Sequence, residues 1–193
     1  MLDISGSIQP SDWAMEKNFV KDLAKQLKIS PTGGHAAVIL FSDNARLHIK
    51  FSDHSDTASF NTAVDLLPYT AGGTRMDKGL EVALNQMFNA ANGMRPNSSK
   101  SVLLMTDGSN NVPMDTTSIK NKFKARNIKL IVVGAGAVDK VELEKLVDSP
   151  KDLHLASSMR NLKAGTLFKD VKKGLCKGTK SNNFRRRKII TLM

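Results

Sequence analysis

The feature that most constrains the fold of this chain is a regular alternation of short apolar runs with longer amphipathic segments. Apolar runs at residues 35–41, 47–51, 101–106 and 128–133 predict strands. Between and around them, apolar residues recur at three- and four-residue steps and predict helices over residues 11–27, 57–67, 76–91, 116–125, 139–146 and 158–175. Strands that alternate with helices indicate the α/β class: a doubly wound, mostly parallel central sheet flanked by helices.

Local signals refine this prediction. The runs at 101–106 and 128–133 are apolar almost throughout, which is typical of strands covered on both faces. The run at 47–51 alternates apolar and polar side chains and is predicted to form a sheet edge. Ser11 and Asp139 are predicted to be the N-caps of their helices.

Basic residues are concentrated at the C-terminal end of the chain. Residues 151–193 contain twelve Lys or Arg and two Asp or Glu, which accounts for +10 of the net charge of +11. We therefore predict a domain over residues 1–176 and a basic, disordered tail over residues 177–193. The tail contains one aromatic residue, Phe184, so it has no stacking platform for single-stranded nucleic acid, and no specific nucleic-acid partner is expected.

The sequence predicts neither a membrane-spanning segment nor a signal peptide. No apolar run approaches the roughly 18 residues that a transmembrane helix needs. Residues 1–5 lack the basic and apolar regions of a secretory signal.

Three short segments rich in oxygen ligands are predicted to follow strands or to precede helices. They are DISGS at residues 3–7, GGT at residues 72–74 and TDG at residues 106–108. In open α/β sheets, ligands bind at the carboxyl ends of the strands near the point where the strand order reverses. We therefore expect these segments to converge, and the candidate metal ligands are Asp3, Ser5, Ser7, Thr74 and Asp107.

Three hydroxyls and two carboxylates make an oxygen-only ligand set. This chemistry favours Mg²⁺, Mn²⁺ or Ca²⁺ and disfavours zinc, which usually takes histidine or cysteine ligands. A site with so few protein charges leaves one position for water or for a carboxylate from another molecule. Each segment also has a plainer interpretation by itself, since Ser5 and Ser7 could cap a helix and Asp107 could form a turn.

In order and spacing, the three segments resemble the metal-ion-dependent adhesion site of von Willebrand factor type A domains, especially extracellular matrix modules of the matrilin and collagen type. The resemblance covers residues 2–176 and includes the segments AVILFSD, LPYTAGGTRMDKGLEVAL and LIVVGAG. It implies a Rossmann-like fold and a divalent metal on Asp3, Ser5, Ser7, Thr74 and Asp107. It also implies capture of an acidic residue from an extracellular matrix or cell-surface protein, such as a collagen-like chain.

Two positions depart from the family pattern. In the family, an apolar strand in the middle of the sheet leads into the DxSxS motif, but here only Met1 and Leu2 precede Asp3. Either the chain is a fragment of a longer one or the domain folds with a gap at its centre, and of the two we expect a fragment with a truncated first strand. Met76 occupies a place often held by a second threonine; it lies outside the ligand set, so little effect on metal binding is expected.

The prediction of the cellular compartment rests mainly on Cys176, the only cysteine of the sequence. The resemblance implies an extracellular protein in which Cys176 pairs with a cysteine ahead of the first strand. The alternative, a lone reduced thiol in a cytoplasmic protein, remains open. A glycosylation sequon at residues 97–99 favours secretion.

Three functions are compatible with these patterns. The first is an extracellular adhesion module, the second an intracellular module that scaffolds a multiprotein complex, and the third a metal-dependent hydrolase. The hydrolase lacks a candidate general base, no catalytic residue is assigned, and we expect no enzyme activity.

Overall fold

The strands of the computed structural model, which describes residues 1–176, form one six-stranded sheet. The predicted tail at residues 177–193 lies outside the described residues. The strands are β1 (Leu2–Asp3), β2 (Val38–Phe41), β3 (Ala45–Ile49), β4 (Lys100–Thr106), β5 (Ile128–Ala135) and β6 (Leu153–Ala156). Their order across the sheet is β3-β2-β1-β4-β5-β6. All neighbours are parallel except β2 and β3, and β3 is an edge strand as predicted.

Helices cover both faces of this sheet. They are α1 (Pro10–Leu27), α2 (Thr57–Asp65), α3 (Met76–Val82), α4 (Thr116–Ala125), α5 (Lys140–Leu146) and α6 (Leu167–Cys176). Apolar side chains of α1, α2 and α6 share one buried cluster with one face of the sheet, and those of α3, α4 and α5 share a second cluster with the other face. The doubly wound, mostly parallel α/β fold predicted from the alternation is therefore confirmed.

The central strand β1 is only two residues long. Leu2 lies opposite Leu40 of β2 and Met105 of β4, so β1 joins the two halves of the sheet. Met1 and Leu2 are fully buried, and the Met1 amine donates a 2.6 Å hydrogen bond to the Leu103 carbonyl. Asp3, the last residue of this short strand, therefore lies at the carboxyl end of a central strand of the sheet.

The start of α1 differs from the prediction. The helix begins at Pro10, and its N-cap is Gln9, whose backbone is extended, so Ser11 lies inside the first turn rather than at the cap. Proline suits the first helical position because its fixed φ matches the helix and its missing N–H would have no partner there. At α5 the prediction is confirmed, because the Asp139 side chain accepts a hydrogen bond from the Glu142 N–H.

Two other predicted helices are shorter in the structure, and one strand was not predicted. The segment after β6 forms a 3₁₀ turn at Met159–Asn161, and α6 begins only at Leu167, after Gly165 with φ +57°. Regular α3 ends at Val82 and continues as a π-helical turn over Ala83–Met87. The missed strand β6 is a four-residue edge strand, and its half-exposed side chains carry no clear alternation.

Candidate metal centre

The candidate site lies where the strand order reverses, between β1 and β4. From β1 the chain first builds outward through β2 to β3, and it then crosses to β4 and continues to β6 on the other side. Asp3 ends β1 and Thr106 ends β4, so both reach the carboxyl edge of adjacent parallel strands. This crevice is where doubly wound folds bind their ligands.

Asp3 is fully buried and held by two hydrogen bonds. Its Oδ1 accepts from the Ser5 N–H at 2.9 Å, and its Oδ2 accepts from the Thr106 hydroxyl at 2.7 Å. Burial raises the pKa of Asp3 to about 6, although these hydrogen bonds act in the opposite direction. A fixed carboxylate that lacks a neutralising cation is costly inside a protein, which is the state that a bound metal ion relieves.

Ser5, Ser7 and Asp107 form a continuous row of oxygen atoms. The Ser5 and Ser7 hydroxyls are 3.0 Å apart, and the Ser7 hydroxyl donates a 2.6 Å hydrogen bond to Oδ1 of Asp107. Partial burial also raises the pKa of Asp107. Two loops separated by about one hundred residues thus present their oxygens to each other.

Thr74, from the GGT segment, lies near these oxygen atoms. It is buried, its N–H donates to Oδ1 of Asn111, and its carbonyl accepts from the Asn111 N–H at 2.9 Å. A β-carbon placed on Gly108 would lie 3.7 Å from the Thr74 hydroxyl and 3.9 Å from the Ser7 hydroxyl. Both hydroxyls therefore border the same small space above Gly108, and all five predicted ligands come together.

The glycine turn before Thr74 is positioned by the first segment. The Gly6 N–H donates a 2.8 Å hydrogen bond to the Gly72 carbonyl, and Gly73 donates to Oδ1 of Asp43 at 2.9 Å. Gly72 has φ +110°, and a β-carbon there would lie 2.5 Å from a carboxylate oxygen of Asp43. Glycine is thus favoured by the backbone angle, and a β-carbon would also force the Asp43 carboxylate to move.

Three residues that support the site were not assigned a role from the sequence. Thr106 was quoted only as part of the TDG segment, although its hydroxyl holds Asp3. Tyr69 donates to the carbonyls of Ser5 and Ile8, at 3.1 and 2.7 Å, and Asn111 holds Thr74 as described. One available signal was that Tyr69, the only tyrosine of the chain, lies three residues before Gly72 of the glycine turn.

Glu16 adds an unexpected buried carboxyl group behind the site. It lies on the sheet-facing side of α1, is fully buried, and neither of its carboxylate oxygens has a hydrogen-bond partner within residues 1–176. Burial raises its pKa well above the usual range, and the negative charge of Asp3 acts in the same direction, whereas the buried Met1 amine and the Asp3 backbone N–H act to lower it. Its spacing from Trp13 and Val20 places it on the apolar stripe of α1, a signal that the sequence already contained.

The donor set fits a hard divalent cation. It contains three hydroxyls and two carboxylates, with neither histidine nor cysteine in its hydrogen bonds. No cluster of three or more His, Cys, Asp or Glu side chains that could hold a metal occurs in the described part of the chain. A metal here would therefore depend on the serine and threonine oxygens as well as on the carboxylates.

Most of the chain, including the candidate site, matches a known family model. The model of the von Willebrand factor type A domain matches residues 1–170.

The chain belongs to the von Willebrand factor type A family.

Known proteins with similar domains agree with this membership. Bovine (Bos taurus) matrilin-1 is 26% identical over 159 residues, and the collagen alpha-1(XII) chain of Notophthalmus viridescens is 24% identical over 180 residues. These alignments cover 80% and 93% of the present chain but only 29% and 19% of the two relatives. The type A domain described here thus spans less than a third of either relative.

A solved structure also resembles this type A domain. Proximal thread matrix protein 1 from the mussel byssus, with a zinc-occupied MIDAS motif, superposes with a TM-score of 0.82 and 29% identity, covering 90% of this chain and 44% of that one. The motif of that protein holds zinc, the ion that the oxygen-only ligand set of the present chain is predicted to disfavour. Zinc is therefore a competitor that metal-binding experiments on the present type A domain must include.

No helix within residues 1–176 of the type A domain is long and apolar enough to cross a membrane.

Proposed function

We propose that this type A domain is an extracellular adhesion module that binds a partner protein through a divalent metal ion. Asp3, Ser5, Ser7, Thr74 and Asp107 would hold the metal. The partner would be a matrix or cell-surface protein, such as a collagen-like chain, that supplies an acidic side chain. The single observation that carries the proposal is the convergence of these five residues at the switch point of the sheet.

The ligand set explains why the site would bind an external carboxylate. Two protein carboxylates only balance the charge of a divalent ion, and the three hydroxyls add no charge, so a metal held here keeps its attraction for a further anion. When bound, the metal would supply a Lewis-acid centre for that anion. The residues of the chain hold the oxygens in place, because Thr106 fixes Asp3, Ser7 fixes Asp107 and Asn111 fixes Thr74.

Mg²⁺ and Mn²⁺ are the preferred ions in this proposal, with Ca²⁺ as a further candidate. Both smaller ions favour octahedral oxygen coordination, and the hydroxyl-rich set suits them. The extracellular setting is supported by the matrilin and collagen relatives, and by the mussel byssus protein whose site holds zinc. Cys176, a free and half-buried thiol in the described residues, would remain available for a partner cysteine in a longer chain.

Calorimetric titration of the full chain with Mg²⁺, Mn²⁺, Ca²⁺ and Zn²⁺ tests the metal site. We expect one divalent site, and a Ser5→Ala/Thr74→Ala variant should lose most of the Mg²⁺ and Mn²⁺ affinity because two of the three hydroxyls are removed. A Ser55→Ala/Thr117→Ala variant is the matched control, since both of its changes lie at exposed positions outside the site. Unchanged binding by the Ser5/Thr74 variant would overturn the ligand assignment.

Capture of an acidic residue is tested separately with a synthetic collagen-like triple helix. One peptide carries a single glutamate and its twin carries glutamine at the same position. We expect the glutamate peptide to bind in Mn²⁺, and binding to be lost in EDTA and in the Ser5/Thr74 variant. If the metal binds but the two peptides behave alike, the metal site stands and the proposed capture mode fails.

A further inference from the structure

A basic groove lies between α1 and α6, on a surface that the metal site does not use. The cavity has a volume of about 310 Å³ and is lined by Asp22, Lys25, Gln26, Lys163, Gly165, Phe168 and Lys169. Lys25 is in the last turn of α1, whereas the metal loop precedes the first turn. Fifteen residues of helix from Pro10 to Lys25 separate the two by roughly 22 Å.

The cations of this groove outnumber its anions. Lys25 and Lys163 share one carboxylate, that of Asp22; the Lys25–Asp22 distance is 3.2 Å, and Lys163 contacts the other oxygen. The side chains of Lys25 and Lys163 remain 61% and 52% exposed, and Lys169 is exposed as well. A further lysine, Lys172, donates to the Gln26 side chain at 2.5 Å on the same edge of α1.

Three segments thus contribute four lysines to this edge of the molecule, and two of them, Lys25 and Lys163, contact Asp22. Partial burial acts to raise the pKa of Asp22, but hydrogen bonds from Lys163 and Lys25 leave its pKa below the usual value. Asp22 thus stays ionised and neutralises one of the four positive charges. The remaining charge is available to an anionic ligand that lies along the groove.

The floor of the groove is apolar. Phe168 is half-buried and contacts the Phe19 ring edge-on, with a centroid distance of 5.3 Å and an interplanar angle of 86°. An apolar floor beneath a row of ammonium groups can accommodate the carbon face of a sugar ring whose charged substituents reach the lysines. A single aromatic ring offers no succession of stacking platforms for the bases of a nucleic acid.

We propose that the groove between α1 and α6 binds a sulfated polysaccharide through Lys25, Lys163, Lys169 and Lys172. Lysine ammonium groups act as compact point charges that take sulfate oxygens without requiring a planar, bidentate geometry. The choice of a matrix polysaccharide rests on the extracellular setting in the proposed function. The lysine groove itself is independent of the metal site.

The test uses the full chain in EDTA, so that binding does not depend on a divalent ion. A heparin-derived hexasaccharide is titrated calorimetrically into the wild type and into the Lys25→Gln/Lys163→Gln/Lys169→Gln variant at several NaCl concentrations. The groove variant should bind about tenfold more weakly, and its salt dependence should decrease by roughly one unit per lysine removed. Equal thermal midpoints should show that it is folded, because exposed ion pairs contribute little stability.

A matched control removes the same charge elsewhere. The Lys120→Gln/Lys122→Gln/Lys124→Gln variant neutralises three lysines of α4 and should retain most of the affinity. In the opposite direction, Asp22→Asn removes the carboxylate of the groove and should tighten hexasaccharide binding severalfold. Agreement of both variants with these expectations supports a defined groove rather than an effect of net charge.

Three results would overturn the proposal. Equal losses in the groove and α4 variants would assign binding to overall charge. Unaltered affinity of the groove variant would assign it to another part of the chain. Equally tight binding of a single-stranded oligothymidine would show a general polyanion surface. None of these results depends on whether the metal site binds its partner.

Discussion

The Ser7 hydroxyl donates a 2.6 Å hydrogen bond to Oδ1 of Asp107, a residue exactly one hundred positions further along the chain. The bond joins the loop after β1 to the loop after β4, and Thr106 at the end of β4 donates to Asp3 at the end of β1. Side-chain hydrogen bonds therefore hold the two chain segments together, in addition to the pairing of β1 with β4. Changes at these contacts should alter both stability and metal affinity.

Asp3 should make the metal-free protein less stable as the pH rises. Its pKa is about 6 in the folded state against 3.8 for an unperturbed group, so the folded state binds the proton more tightly. This contribution is fully present below about pH 4 and is lost as the pH rises through 6, at a cost of up to about 3 kcal/mol. In EDTA, Asp3→Asn should therefore be more stable than wild type at pH 7.5 and similar to it at pH 4.

Urea unfolding across this pH range measures the difference. Asp148→Asn, which removes the same charge at an exposed position, should show no comparable pH dependence. Added Mg²⁺ should stabilise the wild type but not Asp3→Asn. A constant difference between Asp3→Asn and wild type from pH 4 to 7.5 would contradict the assignment.

Thr106→Val should weaken both the fold and the metal site. Valine keeps the shape of the side chain but removes the hydroxyl that holds Oδ2 of Asp3 in a fully buried position. We expect a loss of about 1–3 kcal/mol in the free energy of unfolding, together with weaker Mn²⁺ binding by calorimetry. Thr106→Ser retains the donor and should preserve Mn²⁺ affinity, so equal affinities of the two variants would argue against this role.

Tyr69→Phe should loosen the loop that carries Ser5. The phenol donates to the carbonyls of Ser5 and Ile8, and phenylalanine leaves both without this donor. The expected cost is about 1 kcal/mol in urea unfolding, and Mn²⁺ affinity should fall as well. Thr62→Val removes another hydroxyl-to-carbonyl bond, in α2, and should leave Mn²⁺ affinity unchanged. If Tyr69→Phe and the wild type had the same Mn²⁺ affinity, the loop that carries Ser5 would keep its conformation without the Tyr69 hydrogen bonds.

Glu16→Met should stabilise the domain. The carboxyl group is fully buried without a hydrogen-bond partner in the described residues, and methionine fills similar space without a polar group. We expect a gain of about 1–2 kcal/mol in the free energy of unfolding, measured with urea at neutral pH. Glu81→Met, at an exposed position of α3, should change stability by less than about 0.5 kcal/mol. A less stable Glu16→Met variant would mean that the attraction between the carboxyl group and the buried Met1 amine outweighs the cost of burying the carboxyl group.

The parts of the fold that the sequence predicts best are those with strong periodicity. The α4 helix occupies the predicted residues 116–125, and β4 and β5 were recognised because apolar side chains continue along both faces. The predictions failed where the periodic signal was weak or where a turn interrupted it. The polar segment around Gly165 ends the apolar spacing that would have continued α6 backward, and β6 is too short and too exposed to show an alternation.

The convergence of the five candidate ligands could be predicted because they occur in three short segments that lie at strand ends or lead into a helix. The supporting contacts could not, because they depend on which side chains meet across the fold. Nothing in the local sequence states that the Tyr69 hydroxyl reaches the carbonyl of Ser5, 64 residues earlier. Glu16 is a different case, since its place on the apolar stripe of α1 already indicated a buried charge.

The central position of β1 has a consequence for how the candidate site depends on the integrity of the chain. Pairing of β1 with both β2 and β4 holds Asp3 beside the segments that carry Thr74 and Asp107. A proteolytic cut in the connection between these strands would leave every ligand present, yet it would uncouple the halves that the site unites. Divalent-metal affinity would then report whether the chain is intact, because an uncut chain keeps the three ligand segments at a high effective concentration relative to one another.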